Sequence, residues 1–145
     1  MNRLTSLALV SSLSLVALSG CAELGNQAPQ YNLTGTEWQV RDLNGMDVTA
    51  ELPGSIGQAV GTLNFGDDGR VHGRAFCNGF HGGYLLKGDQ LETTGMASTM
   101  MLCTPAQMER EQAMLDILGN GQRIEFGPNG ELVIHAEDGR TLTAR

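Results

Sequence analysis

The side chains of this 145-residue chain best suited to chemistry are three cysteines, three histidines and a run of methionines. Cys77 and Cys103 with His72, His81 and His135 carry the thiolate and imidazole donors that zinc prefers. No Cys-x-x-Cys or His-x-x-x-His pair brings them to ligand spacing, so no metal is assigned. Ser98 and Thr99 lie near Cys103, but no elbow of glycines surrounds them, and no base and orienting group are marked out beside them. Asp67, Asp68 and Glu92 could supply paired carboxylates, yet Asp67-Asp68-Gly69 is more simply a hairpin turn. The expectation is therefore a non-enzyme, with no catalytic residue and no cofactor. Met96, Met100, Met101, Met108 and Met114 surround Cys103. Flexible thioethers can line an adaptable groove for a peptide or lipid-like ligand, with Met96, Met100, Met101 and Met108 as its candidate wall. The alternative is core packing between helix and sheet.

The third cysteine points to a different chemistry. Met1-Asn2-Arg3 gives a basic start, and the apolar run from Leu4 to Leu18 is short for a bilayer span of roughly 20 residues. Both are features of an export signal. Leu18-Ser19-Gly20-Cys21 is similar to the lipobox of bacterial lipoproteins, in which the signal is cut before the cysteine and the thiol and new amine are acylated. Residues 1–20 are expected to be removed, Cys21 to carry the lipid (palmitate among its acyl chains), and residues 21–32 to form a flexible tether. Ala22 stands where an inner-membrane retention aspartate would be, which favours the outer membrane with the domain facing the periplasm.

Removal of residues 1–20 leaves 125 residues with eight basic and sixteen acidic side chains, a formal charge of −8. Such a domain lacks the clustered cations that nucleic acid requires, and anionic headgroups repel it. The membrane is therefore a partner through the acyl anchor alone. With Cys21 committed to lipid, Cys77 and Cys103 form an even pair in an oxidising compartment, and a disulfide is expected. The alternative is two reduced cysteines buried as small apolar residues.

The elements that position these residues read as short strands. Trp38, Val40 and Leu43 alternate before Asn44-Gly45. Val60, Leu63 and Phe65 form a second strand. Val71, Ala75 and Phe76 form a third, ended by a break at Asn78-Gly79. Tyr84-Leu85-Leu86 and Leu91 to Thr94 flank a tight turn at Gly88-Asp89. Thr104, Pro105 and Gln107 then start a helix with a capping box, an apolar stripe of Met108, Met114, Leu115 and Leu118, and a stop at Gly119-Asn120-Gly121. Ile124 and Phe126, Leu132 to Ile134, and Thr141 to Thr143 complete the strands. The predicted fold is α+β: a strongly curved antiparallel sheet or small barrel of short strands with one helix inserted, the helix covering an open end or face.

Several segments resemble the META domain family, whose members include HslJ-like heat-shock lipoproteins. They are Leu33-Thr34-Gly35-Thr36-Glu37-Trp38 with Leu43-Asn44-Gly45, Gly69-Arg70-Val71-His72-Gly73, and Cys77-Asn78-Gly79-Phe80 with Gly83-Tyr84. The most specific runs from Met96 to Cys103, followed by Met108 and Glu111. The resemblance covers residues 33–145. It implies a small barrel-like α/β domain on envelope lipoproteins, linked to heat shock and novobiocin resistance, and no catalytic residue. It points to a binding role in envelope integrity or stress, toward an envelope protein or an apolar ligand. The alternative is a module that inhibits or stabilises an envelope protease or hydrolase. The family usually carries glycine just before the central cysteine, where this chain has Phe76. A glycine there adopts backbone angles that Phe disfavours, so a different local geometry is expected.

Overall fold

The computed structural model describes residues 31–145. The expected export signal, the expected lipidation site at Cys21 and most of the expected tether lie outside the described residues.

Among the described residues nine strands and one helix follow in the order β1 (Glu37–Leu43), β2 (Met46–Asp47), β3 (Gly61–Phe65), β4 (Arg70–Ala75), β5 (Asn78–Lys87), β6 (Gln90–Ser98), α1 (Pro105–Gly119), β7 (Gly121–Phe126), β8 (Leu132–Ala136) and β9 (Thr141–Ala144). All pair antiparallel with their neighbours, and β9 returns to β1, closing eight strands into a barrel with β2 as a short hairpin on β1. Closure removes the exposed strand edges that an open meander would present. The alternation legible in the sequence is the inside–outside alternation of the wall: Leu63 and Phe65 on β3, Val71 and Ala75 on β4, and Leu132 and Ile134 on β8 fill the interior. The turns fall at the Gly- and Asn-containing dipeptides, with Asn44 and Gly45, Gly69, Gly88, Gly130 and Gly139 all at positive φ.

The reversal between β4 and β5 sits elsewhere than its composition indicates. Asn78-Gly79 is not a break; it opens β5, and the chain turns at Phe76-Cys77, with Ala75 paired to Asn78. The Asn78 side chain is committed to tertiary hydrogen bonds, which override its local turn preference. Phe76 is consequently not a strand residue. It takes φ 63°, the left-handed region that glycine would occupy. The geometry a glycine would give is thus retained with a phenylalanine in it, contrary to the expected departure.

The barrel is weakest between β6 and β7, where the ladder is reduced to Gln90 opposite Arg123. A bulge with Gly95 at φ 59° bends β6 where it crosses β5. The gap is bridged by α1, whose Leu118 carbonyl accepts from the Thr93 hydroxyl at 2.6 Å. Helix α1 touches β4, β8, β6, β1 and β9 together, so it lies across one mouth of the barrel, as the sequence indicates. Its N-terminus carries the full capping box of Thr104 and Gln107 with Pro105 in the first turn.

Candidate functional site

The mouth covered by α1 is organised by the turn at Phe76-Cys77. The Phe76 ring is fully buried, and a Cβ on Gly61 would stand 2.9 Å from it, so the glycine makes the space the ring occupies. The Arg110 guanidinium lies 5.7 Å from the ring centroid. Next in the chain, Cys77 is joined to Cys103 by a disulfide with Cα atoms 6.0 Å apart, the pairing expected from the cysteine count.

The face of α1 turned to this mouth is partly polar. Gln107, Arg110 and Glu111 lie at the i, i+3, i+4 spacing that shares one helix face, and all three are buried. Gln107 treats the backbone of Ile56 as a neighbouring strand would, donating to its carbonyl and accepting from its N–H, both at 3.0 Å. It also donates to the Phe76 carbonyl at 3.3 Å. Arg110 donates to the carbonyls of Val48 and Ala50 at 3.2 and 3.1 Å. The Glu111 carboxylate accepts from the Asn78 backbone N–H at 2.8 Å and from its side-chain amide at 3.0 Å. Among the described residues, no cation pairs with Glu111. Its lone pairs instead hold Asn78 in place.

Asn78 passes that rigidity outward. Its amide donates to the Met101 carbonyl at 3.1 Å, and its side-chain oxygen accepts from the Met101 N–H and the Thr99 hydroxyl, both at 2.7 Å. The Thr99 N–H donates to the Gly79 carbonyl at 2.9 Å. The segment from Thr99 to Cys103 is therefore held by its backbone, its disulfide and Asn78 together, while its apolar side chains face out. Met100 is 97% exposed, Leu102 86% and Met101 53%. Scattered apolar exposure is ordinary, but three consecutive large apolar residues on a braced loop are a candidate contact surface.

The candidate groove residues fall into three settings. Met100 and Met101 project from the tip. Met96 packs half-buried against the barrel core where β5 has Gly82, the two made neighbours by the β6 bulge. Met108 lines a shallow depression of about 600 Å³ on the outer side of α1 with Leu115. Met114, by contrast, is core. Leu102 belongs with the tip and was not singled out in the sequence; nor was Asn78 as its anchor. The signal that could have found the buried network is the polar spacing of Gln107, Arg110 and Glu111 inside an otherwise amphipathic helix.

Residues 31–145 match the META domain. The chain belongs to the META domain family. Its fold is also that of two proteins solved by NMR. One, from Burkholderia xenovorans, is 23% identical with a TM-score of 0.59, over 81% of this chain and 90% of that one. The other is 22% identical with a TM-score of 0.55, over 74% and 86%. No curated protein matches the chain.

Two further hollows open on this META domain. At the mouth opposite α1, Tyr31, Leu33, Tyr84, Leu86, Ile124 and Phe126 line an apolar cavity of about 550 Å³. Tyr84 donates to the Gly66 carbonyl at 2.8 Å, and burial, with Asp67 and Asp68 nearby, raises its pKa above the ordinary tyrosine value. On the outer wall, β1 and the 48–60 loop enclose a polar groove of about 1110 Å³ that includes Glu37, Gln39, Arg41, Thr62 and Arg145. Among the described residues no group of three or more His, Cys, Asp or Glu side chains is placed to hold a metal ion.

Proposed function

We propose that this protein is a lipid-anchored lipoprotein of the outer membrane whose META domain is a non-catalytic binding module, facing the periplasm and serving envelope integrity or the stress response. The observation that carries the binding role is the braced, exposed tip of Met100, Met101 and Leu102. A surface fixed before it meets its partner loses little conformational entropy on binding, and methionine adapts its shape to the surface it meets. The occupant favoured here is an envelope protein with an apolar recess.

The test is crosslinking in living cells from a photoreactive residue at position 100, with Cys21→Ala as the unanchored control. One abundant adduct, lost in the control, is the expected result. Adducts no different from those of a photoreactive residue at exposed Glu137 would overturn the reading. A second reading rests on the same bracing: a rigid protruding loop can occupy the cleft of an envelope protease or hydrolase and block it. Stoichiometric loss of the captured enzyme's activity on adding the domain separates inhibition from simple docking. The apolar cavity at Tyr31 and Phe126 keeps a lipid-like ligand in view, and saturable displacement of a hydrophobic dye, lost on Leu86→Asp, would favour it.

A further inference from the structure

We infer that His72 and His81 form an exchangeable site for a late first-row divalent metal ion, Cu²⁺ before Zn²⁺, on the outer wall of the barrel. The two residues are nine apart in sequence but stand directly opposite each other in the β4–β5 ladder. Both are exposed, so neither side chain is engaged in the core.

The register also tells which kind of pair they make. The Tyr84 N–H donates to the Gly69 carbonyl at 2.8 Å, which marks 69 and 84 as a hydrogen-bonded position of this ladder. Such positions alternate along an antiparallel pair, so 71/82 and 73/80 are hydrogen-bonded while 70/83, 72/81 and 74/79 are not. His72 and His81 therefore occupy a non-hydrogen-bonded position, where opposed side chains approach most closely, with Cβ atoms about 4.5–5.5 Å apart. Two imidazoles that close on one face of a sheet can both reach a single ion at the usual metal–nitrogen distance of about 2.0–2.1 Å.

The surroundings set the ion's identity and the strength of the site. On β3, Asn64 stands opposite His72 and adds an amide oxygen to the same row; on β6, Ala97 stands opposite His81 and crowds nothing. Gly79 and Gly83, the neighbours of His81 on the outer face of β5, leave the approach open. Two imidazoles without a carboxylate suit Cu²⁺, Ni²⁺ or Zn²⁺ and not Mg²⁺ or Ca²⁺, and Cu²⁺ heads the affinity order. Glu37 on β1 stands opposite Asn64 at the end of the same row, and the cations on this face are Arg70 and Arg74, flanking His72 on β4. Arg74 is turned to the Cys77 carbonyl at 3.1 Å. Both oppose a bound cation, and water fills the remaining coordination positions, so the ion exchanges readily and serves no structural purpose.

The test is calorimetric titration of the untagged protein, purified in detergent, with CuCl₂ and then ZnCl₂ at about pH 7.5. One Cu²⁺ per chain is expected, with Zn²⁺ weaker. His72→Gln and His81→Gln should each weaken Cu²⁺ by at least about tenfold, since even an outer partner of a ligand is worth 10–100-fold. His135→Gln should leave binding unchanged. In NMR spectra, Cu²⁺ should broaden signals around residues 72 and 81 first. No saturable binding, binding kept by the double His72→Gln/His81→Gln variant, or loss that follows His135→Gln would each overturn the assignment.

Discussion

Phe76 is where a single residue carries two opposed energies. A left-handed backbone costs a non-glycine residue about 1–2 kcal/mol, while burial of a phenylalanine ring contributes about 1.5–3 kcal/mol. The ring wins because Gly61 leaves it room and Arg110 stacks near it. A comparison of two truncations isolates the backbone part. Phe76→Ala removes the ring and keeps the strain, so it should cost about 3–5 kcal/mol in denaturant unfolding. Phe76→Gly removes both. Glycine ordinarily destabilises by roughly 0.5–1 kcal/mol relative to alanine, but here it should be the more stable variant by roughly 0.5 kcal/mol. The reverse order would show that the turn does not hold a left-handed residue. Asn78 illustrates why such positions escape a reading of the sequence. An Asn-Gly pair looks like a turn from its composition, and only the partners Glu111, Thr99 and Met101 reveal it as the start of a strand. His72 and His81 escape for a similar reason, since register and not spacing makes them neighbours.

At the scale of elements, α1 works as a brace that ties loops to the barrel through polar groups. Gln107→Ala should remove the side-chain partners of the N–H and carbonyl of Ile56, and because Ile56 is exposed and water can replace them the cost should be about 0.5–1.5 kcal/mol per bond. Hydrogen exchange should then speed at the Ile56 amide and its neighbours in the 48–60 loop, with Leu63 and Ile134 in the barrel wall unchanged. Uniform acceleration everywhere would mean that Gln107 supports the whole fold instead. The helix boundaries were legible because Thr104, Pro105 and Gln107 act locally, through the backbone groups they cap. The helix's polar inner face was not, because it answers to segments 31 to 62 residues away.

The hairpin turns carry their own electrostatic signature. Asp138 is held below the ordinary carboxylate range by the Arg140 side chain and backbone, and Asp47 by the hydroxyl and backbone N–H of Thr49. Glu131 is lowered by its own backbone N–H and then by Asn129, and Glu125 by Arg123 and then His135. Because the folded values lie below the unfolded ones, these groups add stability that is fully present above about pH 4.5 and lost as pH falls through the lowered values. Denaturation midpoints should therefore be flat toward neutrality and fall on the acid side of about pH 4.5. Asp138→Asn should make that fall shallower, and the pairs should weaken in high salt because they are exposed.

At the scale of the whole molecule, the two mouths of the barrel face opposite ways. Asn78, at one end of β5, holds Met101, while Leu86, eight residues along, lines the cavity with Tyr31. At about 3.3 Å per residue the tip and the start of the described chain are roughly 26 Å apart. If Cys21 is anchored, the nine residues from 22 to 30 reach at most about 30 Å, so the Tyr31 mouth is held within about that distance of the lipid. Strand order and helix position could be read from period and turn chemistry, but this polarity could not, because it depends on which mouth α1 covers. It leads to a prediction that separates folding from docking. Replacing Met100 and Leu102 together with Asp changes two exposed side chains and leaves untouched the backbone bonds and disulfide that brace the loop. Stability should move by no more than about 0.5 kcal/mol per site, while the in-cell adduct formed from position 101 should disappear. An undiminished adduct would mean that the partner is reached by another face, with the polar groove beneath the 48–60 loop the next to probe. Lost adduct together with lost stability would instead show that the exposed side chains hold the mouth closed.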